Sequence, residues 1–312
     1  MMTAELRAKV IAAVGKLVVS RETEAELMLV GLLAGGHALL EGVPGVSKTL
    51  LARVFSRCMG LDFRRVQFTP DMLPLDIVGG FIFNMKDREL EFRKGPVFTN
   101  ILLADEINRA PPKVQSALLE AMQERQVTVE GHTEKLPSPH MVIATQNPIE
   151  FQGVYPLPEG QLDRFMLRIT LGYPTLQTES SILRRNLSES DVDSVSPVIS
   201  KEELVVALEK VRGVTVSNEM TDYVARLAAA TRADARISLG ASPRAMVHLT
   251  HCARALAYLS GREYVTPDDV KALAAHVLSH RLKLNQSLAL KGETVDVTTI
   301  LREILDGVAP PR

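Results

Sequence analysis

Directly after the apolar run Ala38–Leu40 the chain reads EGVPGVSKTL, Glu41 to Leu50, close to the pattern G-x-x-x-x-G-K-[ST]. A glycine-bearing turn between a strand and a helix aims backbone N–H groups at a phosphate, and the positive end of the helix adds to the attraction. In that reading Gly42, Val43, Pro44, Gly45, Val46 and Ser47 form the loop, and Lys48-Thr49-Leu50 opens a helix running to Cys58. Gly42 and Gly45 allow the tight turn and Pro44 stiffens it. Lys48 reaches the terminal phosphates, and the Thr49 hydroxyl ligates Mg²⁺. Ser47 stands where the pattern has its second glycine. A residue on the first turn of a helix has no need of glycine, so the exchange is expected to be tolerated.

A second cluster supports the same chemistry. Ile101-Leu102-Leu103-Ala104-Asp105-Glu106 is an apolar strand ending in adjacent carboxylates, placed where α/β sheets bind their ligands. Asp105 is suited to hold Mg²⁺ through its water shell and Glu106 to polarise an attacking water. Met141–Thr145 then runs into Gln146-Asn147-Pro148, whose amide can hydrogen-bond that water or the γ-phosphate. In LPEGQLDRF, Leu157 to Phe165, Arg164 sits just before a further strand and has no evident task inside its own subunit. Ser242-Pro243-Arg244 puts an arginine on the first turn of a helix, against the dipole, which calls for an anion nearby.

Residues of these types need a scaffold that brings strand ends together. Five short β-rich runs, His37–Leu40, Phe63–Phe68, Ile101–Ala104, Met141–Thr145 and Phe165–Thr170, alternate with helical stretches. That is the pattern of a parallel sheet sandwiched by helices, an α/β fold. Helical spacing of Leu6, Val10, Ile11, Val14 and Leu17 predicts an N-terminal helix, followed by another over Glu22–Leu33. Two hairpins are expected as inserts, Gly80–Arg93 and Val127–Leu136, the latter turning at Gly131-His132. After Gly172-Tyr173-Pro174 no run reads as a strand. Helices are predicted over Gln177–Asn186, Lys201–Val211, Asn218–Arg232, Pro243–Leu259 and Pro267–His280, with Ser188–Ser200 as a polar linker. The expected organisation is a nucleotide-binding core over residues 1–172 and a smaller all-helical lid over 173–312.

At 312 residues, 46% of them hydrophobic and none of them tryptophan, the chain can bury a large aliphatic core. A formal net charge of −1 gives no electrostatic case for nucleic acid or an anionic membrane as an obligatory partner. Cys58 and Cys252 lie far apart in apolar helical contexts and read as reduced core residues. The N-terminus MMTAELRAKV is charged and helical, and no stretch is long enough to span a bilayer, so the cytoplasm is the expected compartment.

Over nearly its whole length, roughly residues 5 to 285, the chain resembles the MoxR family of AAA+ ATPases. This clade also holds the magnesium-chelatase motor subunit and the minichromosome-maintenance helicases. The resemblance rests on LADEINRAPPKVQSALLEAMQERQVTVEG (103–131) and ATQNPIEFQGVYPLPEGQLDRF (144–165). It implies ATP and ADP as ligands, Mg²⁺ as cofactor, and a homo-oligomer, expected to be a hexamer. It assigns Asn147 as sensor 1, Arg164 as the arginine finger supplied to a neighbour, and Arg244 as sensor 2, in cis or in trans. It also places Val18 and Val19 beside the adenine. There Ser20-Arg21 replaces the Gly-Gln usual in the family, and Ser47 stands where Ala or Gly is commoner. Lys201–Val211 resembles the extra helix that swings the lid aside in this clade.

The resemblance implies a protein client and a von Willebrand factor A domain partner, in enzyme maturation or metal insertion. A nucleic-acid motor and a nucleotide-gated scaffold with little turnover are the competing readings. The mixed charges Lys86, Asp87, Arg88 and Glu89 on the first hairpin count against the motor. In related rings such hairpins face the pore or the upper surface; ordinary surface hairpins are the plain alternative. His248, His251 and Cys252 share one helix, but no partner ligands are evident and helix packing explains them. Arg281, in SHRLKLN, reads either as a phosphate or interface contact or as a solvated helix end.

Overall fold

A strand that is apolar on both faces can only lie inside a sheet covered on both sides. In the computed structural model, which describes residues 2–43, 45–86, 88–147, 153–184, 191–192, 194–285 and 296–311, that rule organises the first half of the chain. Pro44, Asp87 and Pro148 fall outside the described residues, as does much of the polar linker. Helices α1 (Met2–Gly15) and α2 (Glu22–Leu33) lead into β1 (Ala38–Gly42), α3 (Lys48–Cys58), β2 (Phe63–Gln67) and α4 (Pro74–Val78). A hairpin, β3 (Gly79–Asn84) and β4 (Glu89–Lys94), precedes β5 (Ile101–Asp105) and α5 (Pro112–Glu124). A second hairpin, β6 (Gln126–Val129) and β7 (His132–Lys135), is followed by β8 (Met141–Gln146), α6 (Glu159–Leu162) and β9 (Leu167–Leu171).

The five expected strands form one parallel sheet in the order β2-β5-β8-β1-β9. Alternate residues load its two faces. Ala38 and Leu40, Ile101 and Leu103, and Met141 and Ile143 pack with the apolar sides of α1, α2 and α3. Leu39, Leu102, Ala104, Val142 and Ala144 pack instead against Val114, Leu118 and Met122 of α5. Because every strand points the same way, Gly42, Asp105 and Gln146 finish at one edge of the sheet. Residues 35–37, 140 and 164–166, which precede strands, gather at the opposite edge.

Beyond β9 come α7 (Leu176–Arg184), α8 (Lys201–Gly213), α9 (Asn218–Ala233), β10 (Ile237–Leu239), α10 (Pro243–Leu259), α11 (Pro267–Leu278), β11 (Lys283–Leu284) and α12 (Val297–Gly307). Helix α10 starts and stops where the spacing places it. The expectation that no strand follows residue 172 is corrected by the small antiparallel ribbon of β10 and β11. Two strands of three and two residues carry too short a pattern to register in sequence. Helix α12 is a further element the pattern missed. The second hairpin turns at Glu130-Gly131 rather than Gly131-His132, since Val129 pairs with His132 and both turn residues have positive φ, 51° and 82°. Such two-residue turns match the twist of the flanking strands. Helices α8 to α12 share one apolar cluster with α1 and α2: Val10, Val14 and Met28 join Leu204, Val211, Leu249, Cys252, Leu273 and Ile300, for example.

Two buried imidazoles tie down the strand starts. His37 accepts from the Val142 amide at Nδ1 (2.9 Å), which leaves Nε2–H to donate to the Met122 carbonyl at 3.1 Å. His140 donates from Nδ1 to the Thr99 carbonyl at 2.7 Å and meets His37 edge to face. Burial, with Arg125 nearby, holds the pKa of His140 down at about 4, against an ordinary 6.5. The folded protein therefore keeps this ring neutral, whereas the unfolded chain takes up a proton below about pH 6.5. Its contribution is present above about pH 6.5 and is lost progressively as the pH falls to about 4. At ~1.4 kcal/mol per pKa unit that is on the order of 3 kcal/mol. Thermal unfolding measured from pH 7 to pH 4 is expected to show a falling midpoint, with a shallower fall in His140→Asn, which keeps the donor without the proton uptake.

Candidate active site

The turn after β1 is shaped by two glycines for different reasons. A side chain at Gly42 would meet the Leu171 carbonyl oxygen at 2.7 Å, so the strand end leaves no room for one. Gly45 has open space but φ of +81°, which L-residues rarely adopt. Val46 is buried and Val43 packs on the core, anchoring the loop from within. Ser47 corrects the sequence expectation: it is not helical but left-handed, with φ 64° and ψ 25°. The second glycine of the motif is favoured here by backbone conformation, and serine holds that conformation at a cost of about 1 kcal/mol. Lys48 heads α3, and its Nζ donates to the Gly42 carbonyl at 2.8 Å. The first N–H groups of α3 have no acceptor within the helix and face the turn.

The carboxylates close the same edge. Asp105 is only 7% exposed. Its Oδ1 accepts from the Thr145 hydroxyl at 2.6 Å, and its Oδ2 from the Thr49 hydroxyl at 3.4 Å. Oδ2 also takes Nε and Nη2 of Arg65, at 3.0 and 2.7 Å. Glu106 sits in the left-handed region, with φ 57°. Its amide donates to the Thr145 hydroxyl (2.9 Å), while Oε2 accepts from Gln67 Nε2 at 2.6 Å and pairs with Arg109 Nε at 2.9 Å. Asn147, 6% exposed, follows β8 beside these acids. Gln146 donates to Glu41 at the end of β1, and Arg168 pairs with the same carboxylate at 2.8 Å.

Arg65, Gln67, Arg109 and Thr145 thus belong to the site although motif reading passed over them. The signal available was the polar content of FRRVQ, three polar residues in five, on a strand beside the acidic one. The oxygen pair from Thr49 and Asp105 is what a hard divalent cation takes. Helix N-terminus, glycine turn and Lys48 together suit a polyphosphate. Residues and ligands fit each other.

Arg164 and Arg244 lie elsewhere. Both line a cavity of about 170 Å³ with Gly35, Gly36 and His248, at the strand-start edge of the sheet. From there to the phosphate loop is the length of β1, about 17 Å for five residues. Arg164 Nε is buried without a hydrogen-bond partner among the described residues. The anion that Arg244 calls for is Asp163, whose Oδ2 lies 3.7 Å from Nη1. Neither reading of Arg281 holds, since it is buried and paired with Asp163. The lid histidines are spent on similar ties: His276 on the Arg168 carbonyl and His280 on that of Phe165.

At the N-terminal turn Val18 is buried in the core and Val19 half-buried beside it. Ser20 is left-handed, φ 57°, the conformation that explains glycine as the common residue there. Arg21 donates to the Gly172 carbonyl at 2.8 Å and pairs with Glu24, and Ser20 meets Thr178 at 3.0 Å. These bonds tie the turn to the segment that leaves β9.

Comparison with known proteins agrees with this geometry. The family model described as ATPase family associated with various cellular activities (AAA) matches residues 37–167, and the AAA lid domain model matches residues 229–304. Chaperone MoxR1 of Mycobacterium tuberculosis is 44% identical over 308 residues, covering 96% of this chain and 81% of its own. YeaC of Bacillus subtilis, described as uncharacterized, is 43% identical over 98% of this chain and 95% of its own. A crystal structure of a proposed ATPase from Cytophaga hutchinsonii superposes with a TM-score of 0.91 at 41% identity, covering 100% of this chain and 96% of that one. A parallel sheet with a phosphate loop, an acidic strand end and a helical lid defines an AAA+ module. Within that class the chain belongs to the MoxR family of AAA+ ATPases.

The Ser47 geometry carries a test. Ser47→Gly is expected to stabilise the fold by about 0.5–1 kcal/mol, read as a higher melting temperature. Ser47→Val is expected to lower it.

Proposed function

We propose that this protein hydrolyses ATP with Mg²⁺ in a ring of identical subunits, expected to be six, and uses the cycle to remodel or mature a protein client. The observation that carries the reading is the division of the chemistry between two edges of one sheet. Arg164 and Arg244 stand a strand's length from their own phosphate loop, so they would serve the loop of a neighbouring subunit.

Lys48 leaves the Gly42 carbonyl for the terminal phosphates. Thr49 and Asp105 would hold Mg²⁺, which would supply neutralisation of the phosphate charge. Glu106, aimed by Gln67 and Arg109, orients and polarises the attacking water, and Asn147 hydrogen-bonds the water or the γ-phosphate. The loop from Gly42 to Ser47, through the N–H groups of its residues other than Pro44, and the first turn of α3, Lys48 to Leu50, cradle the phosphates. Val18 and Val19 flank the adenine. Arg164 and Arg244 from the neighbour complete the charge neutralisation, in which an arginine supplied in trans adds roughly 10³–10⁵ in rate.

Client contact falls to the first hairpin, where Ile82, Phe83, Met85 and Leu90 are 45–81% exposed. It is braced on the second hairpin by Lys94–Glu134 at 2.9 Å and by Phe81 and Phe92 against His132. A relative named as a chaperone supports a protein client, and a von Willebrand factor A domain protein is the adaptor the family resemblance suggests. Among the described residues no helix is long and apolar enough to cross a membrane.

Turnover per subunit is expected to rise with protein concentration as subunits assemble, without stimulation by DNA. Arg164→Ala is expected to bind ATP and assemble normally while hydrolysing about 10³-fold more slowly or worse. Normal turnover by that variant would sink the reading, and DNA stimulation would favour the motor.

A further inference from the structure

Arg281 follows α11, far in sequence from the loop that carries Arg164, yet its side chain is 2% exposed and its donors are all engaged on that loop and its surroundings. Nε donates to Asp163 Oδ1 at 2.8 Å. Nη2 reaches the Asp163 carbonyl at 3.1 Å, the Phe165 carbonyl at 2.6 Å and His248 Nδ1 at 2.6 Å. Nη1 reaches the Met166 carbonyl at 3.3 Å and that of Val277. The guanidinium therefore grips the backbone on both sides of Arg164, and among the described residues Arg164 Nε has no partner.

Asp163 turns the grip into a clamp. Besides Arg281 it accepts from the hydroxyl of Ser242 at 3.1 and 3.3 Å and faces Arg244 at 3.7 Å. Ser242 is also the N-cap of α10, accepting from the Ala245 amide at 3.1 Å, so the start of the helix bearing Arg244 is fixed to the same carboxylate. His280 adds a bond to the Phe165 carbonyl at 3.0 Å. Burial and the Arg281 charge push the pKa of His248 down to about 3, so its neutral ring can accept from that guanidinium.

We propose that Arg281, acting through Asp163, is a positioning residue that locks the lid to segment 163–166, so that Arg164 and Arg244 move as one two-arginine unit. Two cations must meet one set of phosphates together, and a rigid link sets their spacing before the neighbour's nucleotide arrives. A lysine cannot replace the lock, because it lacks the planar fork that reaches several acceptors at once. This inference rests on the reading in which the two arginines serve a neighbouring subunit.

The test uses the full chain with Arg281→Lys and, in parallel, the near-isosteric Asp163→Asn. Both are assayed for melting, for binding of a fluorescent ADP, and for kcat and KM. The lock predicts a kcat lowered by about 10²-fold, with KM for ATP and ADP affinity held within a few-fold. A second arm mixes wild type with subunits carrying Glu106→Gln, with or without the Arg281→Lys change. Wild-type turnover should fall further when the silent neighbours also carry Arg281→Lys. Should Arg281→Lys fail to fold, Asp163→Asn decides by the same readouts. Unchanged kcat in a folded variant, or a raised KM at normal kcat, overturns the lock. In the same mixtures, Glu106→Gln subunits that also carry Arg164→Ala should lower wild-type turnover further; if they leave it unchanged, the neighbour reading falls instead, so the two failures are distinct.

Discussion

Parallel strands all end at one edge of their sheet and all begin at the other, and this polarity governs where charge can be placed in the molecule. The groups that follow strands, Lys48 and Thr49 after β1, Glu106 after β5 and Asn147 after β8, share one edge with Asp105 at the end of β5. The arginines that precede a strand or start a lid helix share the other, where Arg164 and Arg244 line one cavity. No side chain spans the distance between the edges. On the proposed reading, the phosphate loop with its carboxylates and the two arginines that complete one reaction therefore belong to different copies of the chain, and assembly is a chemical requirement of the site.

Within the phosphate-loop edge the organising group is Asp105. A buried carboxylate needs partners, and here it has Thr145, Thr49 and the fork of Arg65. Thr145 also takes the Glu106 amide, so one hydroxyl on β8 sets both acids of β5. The left-handed backbone at Glu106 turns its carboxylate back toward Gln67 and Arg109. Glu106 is thereby held by residues on three separate elements. At the other edge Asp163 has the corresponding place, gathering Ser242, Arg244 and Arg281 from the lid.

What was readable in the sequence follows from the range of the physics involved. The five strands and the helices Glu22–Leu33 and Pro243–Leu259 declare themselves because burial imposes a local period on their residues. The phosphate loop and acidic pair were readable because each is a contiguous stretch. Arg65 and Gln67 were not, since they act across the sheet from a strand whose exposed face resembles any polar edge. Arg281 was misread for the same reason: its partners on the loop that carries Arg164 lie more than a hundred residues away. Ser47 was misjudged because a residue before a helix can be helical or left-handed, and only the turn decides. The ribbon of β10 and β11 was too short to carry a period.

The most direct measurement of the central claim is a structure of the assembled protein with Mg²⁺ and a slowly cleaved ATP analogue. The division of charge between sheet edges predicts the γ-phosphate on Lys48 of one subunit, within hydrogen-bonding distance of Arg164 from the adjacent one. A map in which Arg164 touches no phosphate, or in which the nucleotide lies away from Lys48 and Asp105, would contradict it.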